Sequence, residues 1–182
     1  MELKTLIAAC LAAAALPVAA LADPAEPSDK ANGARVCHAL KTSLGETTFN
    51  ATYGTNADKS NAMGKCVSAW TRAEHQNRHA AETACAAEQA DPNFASTHGG
   101  KTFAQFYGVG KKGANALRRC IQAKLQAARA AQQQATTKAA KACRTERTTL
   151  GDTAFKAKYG TNADKSNAFG KCVARLAKAQ NG

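Results

Sequence analysis

The stretch YGTNADKSNA runs from Tyr53 to Ala62 and recurs, residue for residue, from Tyr159 to Ala168. A divergent third copy, YGVGKKGANA, lies between them from Tyr107 to Ala116. Phe49, Phe103 and Phe155 each stand one helical turn before the tyrosine of their copy. Cys66, Cys120 and Cys172 follow the motifs, and Cys37, Cys85 and Cys143 precede the phenylalanines. Self-similarity at this scale marks an array of like supersecondary units. It predicts an all-α protein: three tandem disulfide-stapled helical repeats, over 31–75, 76–128 and 129–182, the last carrying a helical linker.

The pairing of the cysteines follows from the repeat. Cys37 to Cys66 and Cys143 to Cys172 have the same spacing, and Cys85 to Cys120 is slightly longer. If each unit is self-contained, each closes its own bridge. Composition explains the need. Alanine supplies more than half of the nominal 45 % hydrophobic content, and alanine favours helix while burying little area. Units this small rarely hold a core without staples.

Cys10, the seventh cysteine, falls in a segment that reads as a signal peptide over 1–22. Lys4 is followed by a short apolar run broken at Pro17, and Ala20-Leu21-Ala22 offers a small-x-small cleavage site. Export is the compartment in which paired cysteines persist as disulfides. The expected localisation is therefore secreted or cell-surface, with no transmembrane segment in the mature chain. Residues 23–30, with two prolines, read as a flexible leader.

Each repeat reads as helix, short helix, loop and helix. In repeat 1 a helix begins near Ala31 and stops at Gly45. Phe49 and Tyr53 stack on a second helix that Gly54 caps, and Asp58 or Ser60 caps a third helix from Asn61. That third helix meets no proline before Pro92, so it continues into repeat 2 as a rod about 45 Å long. Repeat 2 carries extra loop residues around 91–100. Between Leu125 and Cys143 there is no large apolar residue. That segment reads as a solvated helix or a linker, with Thr136 and Thr137 the place to fray. The expectation is beads on a helical rod, each with its own core.

Few residue groupings suggest chemistry. Asn56, Asp58, Ser60 and Asn61 alternate as in calcium loops, but the central glycine and closing glutamate are missing, and helix capping accounts for them better. His75, His79 and Glu82 share a helical face that a metal would suit, yet a solvated face is the better reading. No metal and no cofactor is expected. The bridges consume the mature thiols, hydrolase and phosphate-loop motifs are absent, and small alanine-rich cores offer no deep pocket, so no enzyme is expected either.

Charge is the remaining signal. Lys and Arg number 25 against 13 Asp and Glu, a formal net charge of +12. Lys111, Lys112, Arg118, Arg119 and Lys124 cluster in repeat 2, and Lys59, Lys65, Lys165 and Lys171 hold matching places in the outer repeats. Such a chain is drawn to anionic polymers: cell wall, acidic glycan or nucleic acid. The expected function is a basic binding or coating module, with a structural spacer as the alternative. Oligomeric state is not legible.

The stretch CRTERTTLGDTAFKAKYGTNADKSNAFGKCVARLAKA, from Cys143 to Ala179, resembles a repeat of exported proteins of high-GC Gram-positive bacteria, which pair a signal peptide with a YGTN…NAFGKC core. The resemblance covers most of repeats 1 and 3, and repeat 2 departs at its loop. It implies secretion and the repeat boundaries, and it brings no activity with it.

Overall fold

A computed structural model describes residues 27–110 and 112–181. The proposed signal peptide, the start of the leader and Lys111 lie outside these residues. The described chain is all-α: α1 (Pro27–Leu44), α2 (Glu46–Tyr53), α3 (Ala62–Ala90), α4 (Phe94–Thr97), α5 (Phe103–Tyr107), α6 (Ala116–Leu150), α7 (Asp152–Tyr159) and α8 (Ala168–Asn181). Disulfides join Cys37 to Cys66, Cys85 to Cys120 and Cys143 to Cys172, one in each repeat. All six sulfurs are buried.

Repeats 1 and 3 share a local plan. Gly45 and Gly151, with φ of 76° and 77°, turn one helix into the next within a single residue, a conformation that favours glycine. Phe49 and Phe155 are buried in the same core as the bridges, and the rings of Tyr53 and Tyr159 lie tilted against them at 5.1 and 5.0 Å. Gly54 does not cap its helix in the left-handed conformation. Its φ is −69°; glycine is needed because a Cβ there would lie 2.6 Å from Lys59 Cβ and 2.7 Å from Asn50 O. The left-handed residue of the loop is Lys59 instead, as Lys165 is in repeat 3.

Differences from the sequence reading begin at the ends of the elements. Pro27 to Lys30, expected to close a flexible leader, form the first turn of α1. Asp29 is buried there, pairing with Arg78 and facing His75 of α3. The extra residues of repeat 2 are not a plain loop. They form α4, whose Phe94 is buried against Phe103 with His98 stacked on its ring at 3.7 Å.

The larger difference is the arrangement of the repeats, which is not beads on a rod. Helix α3 carries the chain out from repeat 1 to repeat 2, and α6 brings it back antiparallel: Cys85 meets Cys120, and Glu74 meets Arg129. Repeat 3 therefore lands against repeat 1. One core holds Val36, Leu40, Phe49 and Trp70 together with Ala139, Ala140, Phe155, Phe169 and Val173. Repeat 2 alone keeps a separate core of Cys85, Phe94, Phe103, Ala116 and Cys120. Merging two small cores buries apolar surface that each unit alone would expose to water.

The segment from Leu125 to Cys143 makes this possible. It is neither a linker nor a wholly solvated helix. Ala135, Thr136, Ala139 and Ala140 are buried along one face of α6, and side chains this small let helices approach closely. Thr136 does not fray: its hydroxyl donates to Gln132 O, as that of Thr137 does to Gln133 O. Midway along the hairpin, Arg129 Nε donates to both carboxylate oxygens of the buried Glu74, at 2.7 and 2.8 Å.

Candidate functional site: the cleft and the cations

The return of α6 creates a cleft of about 1110 Å³ between α3, α6 and α8, with the end of α2 at one side. Such a recess was not expected of an alanine-rich array. Its walls are alanine faces: Ala69 and Ala73 of α3, Ala128 and Ala131 of α6, Ala174 and Ala177 of α8. Tyr53 and Trp70 also line it, and Trp70 Nε1 donates to Tyr53 OH at 3.2 Å. Burial pushes the Tyr53 hydroxyl's pKa up, against the smaller opposing effect of that bond, so the phenol is neutral. Lys65, Lys171 and Lys178 border the cleft. Two of these hold the matching places seen in the sequence, and both are exposed. Lys178, on the same helix as Lys171, was not singled out because it lies outside the repeated motif.

The two other lysines of that set are used internally. Lys59 Nζ donates to Gly54 O of its own loop at 3.2 Å and to Ser166 O of repeat 3 at 3.1 Å. Lys165 Nζ donates to Gly160 O at 3.1 Å. The loop oxygens that resembled a calcium set are likewise turned inward. Asn61 Oδ1 accepts from Thr55 N, Asp58 Oδ1 from Ser60 N, and Asn56 Oδ1 from Asn61 N at the long distance of 3.5 Å. Asp58 and Ser60 shape the turn rather than cap α3.

In repeat 2, Lys112, Arg118 and Arg119 are exposed, and no carboxylate among the described residues pairs with them. Lys124, grouped with them by sequence, is committed elsewhere. Its ammonium lies 2.7 Å from Glu88 Oε1, and Tyr107 OH donates to Glu88 Oε2 at 2.9 Å. Burial of Glu88 works against its charge, but the bonds from Lys124 and Tyr107 prevail and hold the carboxyl below its ordinary value. Repeat 3 uses the same device, with Lys158 and Tyr159 on Glu146. In repeat 1 the corresponding place belongs to Leu40, and Tyr53 meets Trp70 instead.

His75, His79 and Glu82 do not gather. The rings meet edge to face at 4.6 Å. His75 Nδ1 lies 3.8 Å from buried Asp29, whereas His79 Nδ1 lies 3.5 Å from Glu82 on the exposed side. The face is thus half packed rather than wholly solvated. Among the described residues no cluster of His, Cys, Asp and Glu suits a metal, and no helix is long and apolar enough to cross a membrane.

The carboxylates complete the electrostatic account. Glu46 pairs with Lys41, Asp152 with Arg147 and Lys156, Glu74 with Arg129, Glu88 with Lys124 and Glu146 with Lys158. Asp58, Asp91 and Asp164 accept bonds from their own turns. Glu82 stands exposed beside His79; these other carboxylates are engaged locally, while Lys112, Arg118 and Arg119 face solvent.

Compared with protein-family models, curated proteins and solved structures, the chain matches none.

Proposed function

We propose that this is an exported, non-enzymatic protein that binds or coats anionic polymers outside the cell. The observation that carries the reading is the disposition of charge. Carboxylates sit in ion pairs and turns, while Lys65, Lys171 and Lys178 border one cleft and Lys112, Arg118 and Arg119 stand exposed in repeat 2. Cations left without internal partners are available to phosphate, sulfate or carboxylate groups spaced along a chain. Two such groups on one molecule act together by raising the effective concentration of the second contact.

The test is retention of the protein on polyanion columns, wall fractions and nucleic acid at two salt concentrations. Retention falls steeply as salt rises, because binding releases condensed counterions. Replacing Lys112, Arg118 and Arg119 together with Gln weakens retention and leaves the melting temperature nearly unchanged, since exposed charges contribute little to stability. Equal retention of wild type and variant at both salts favours the alternative, a spacer held together by its shared core and using no ligand.

A further inference from the structure

We infer that the protein assembles head to tail with further copies of itself, the exposed face of α7 of one copy seating on the Gly64 face of α3 in the next. The template is the contact already made inside the chain. Repeat 1 presents the C-terminal end of α2 and the loop lysine. Repeat 3 receives them with the first turn of α8. Thr52 O lies where a Cβ on Gly170 would be only 2.4 Å away, so only glycine admits this approach. Lys59 Nζ then spans the two repeats by donating to Ser166 O.

The two motifs are identical from tyrosine to alanine, and glycine follows in both, as Gly64 and Gly170. Each repeat therefore owns a presenting half and a receiving half. The internal contact uses the presenting half of repeat 1 and the receiving half of repeat 3. It is not two-fold: Thr48 is buried and Thr52 half-buried, whereas their counterparts Ala154 and Lys158 are exposed. A heterologous contact leaves one half over at each end.

Both leftover halves are visible. Gly64 is exposed, and a Cβ built on it meets nothing within 4 Å. Nothing among the described residues requires glycine there, although glycine in a helix costs roughly 0.5–1 kcal/mol relative to alanine. Repeat 2, whose motif takes no part in the contact, has Arg118 in the same place. At the other end, Lys165 Nζ bonds its own loop at Gly160 O, as Lys59 does at Gly54 O. Among the described residues, Lys165 has no counterpart to the second bond that Lys59 makes to a serine carbonyl across the interface. Ser60 of another copy supplies its equivalent.

Lys65 borders the receiving half, and on the presenting helix Lys156 pairs with Asp152 and Lys158 with Glu146. With these lysines already paired, assembly changes little with salt. Polyanion binding instead weakens steeply as salt rises, so failure of one idea leaves the other standing.

Sedimentation velocity on the oxidised protein over a hundredfold concentration range, at low and high salt, tests the inference. The expected result is a concentration-dependent series of species that extends past the dimer and persists at high salt. Gly64→Leu abolishes the series without lowering the melting temperature, and so does Ala157→Gln on the presenting side. Mixing these two variants restores a dimer and nothing larger, because one intact half of each kind remains. A wild type that stays monomeric throughout overturns the inference. So does a Gly64→Leu variant that assembles like the wild type, or a mixture that stays monomeric while both variants remain folded.

Discussion

At the residue scale, glycines that hold one place in the repeat have opposite duties. Gly170 admits the backbone of α2, whereas a Cβ on Gly64 would meet nothing within 4 Å among the described residues. Gly170→Ala forces Thr52 O away and should cost about 1–3 kcal/mol, the usual price of overpacking. Gly64→Ala should raise stability by about 0.5–1 kcal/mol, because alanine is the better helix former. Urea denaturation of the two variants measures both signs. The buried carboxylate of Glu74 is a second point of leverage. Glu74→Ala strands Arg129 beside a cavity and should cost about 3–5 kcal/mol, the range for breaking a buried pair. Glu74→Ala matching the wild type in urea would mean that the pair does not tie α3 to α6. None of this was legible from residue types alone. The repeat displayed the conserved scaffold of phenylalanine, tyrosine, glycine and cysteine, but a glycine that meets a neighbour and one that does not look alike in sequence.

At the element scale, α6 decides the architecture. Its alanines gave no hydrophobic signal by size, so the stretch from Leu125 to Cys143 read as a solvated helix or linker. The usable signal was spacing: Ala135, Thr136, Ala139, Ala140 and Cys143 fall on one helical face and are buried together. Ala140→Leu separates the two arrangements. On a solvated helix it would be harmless, whereas inside the shared core it should cost about 1–3 kcal/mol by overpacking. Thermal melting of the single variant reads the outcome. The bridges fared differently, because equal spacing in two repeats singled out one pairing from many, and the chain closes them so. The second helices, α2 and α7, were legible for the same reason, whereas α4 was hidden because repeat 2 has no sister copy with its insertion.

The molecule as a whole is a hairpin of two long helices, with a double core at one end and a single one at the other. Acid should loosen both ends. Glu88 is held below its ordinary value by Lys124 and Tyr107 despite its burial, and Glu146 chiefly by its bond from Lys158. A carboxylate depressed in the folded state contributes stability above its unfolded pKa, and that contribution is lost as pH falls toward the folded value. The melting temperature should therefore hold steady near neutrality and decline as the pH drops below about 4. Glu88→Gln should flatten part of that decline, and a melting temperature independent of pH down to about 2 would show that these contacts carry no linkage.

The shared core of repeats 1 and 3 is the claim on which the cleft, the charge disposition and the assembly surfaces all rest. Through-space proton contacts in the oxidised protein, measured by nuclear magnetic resonance, test it most directly. Protons around Thr52 of α2 should show cross-peaks to Gly170 of α8, and the methyls of Val36 and Leu40 to those of Ala139 and Ala140. Cross-peaks confined within each repeat, with none linking residues before Tyr53 to residues after Ala135, would contradict the shared core.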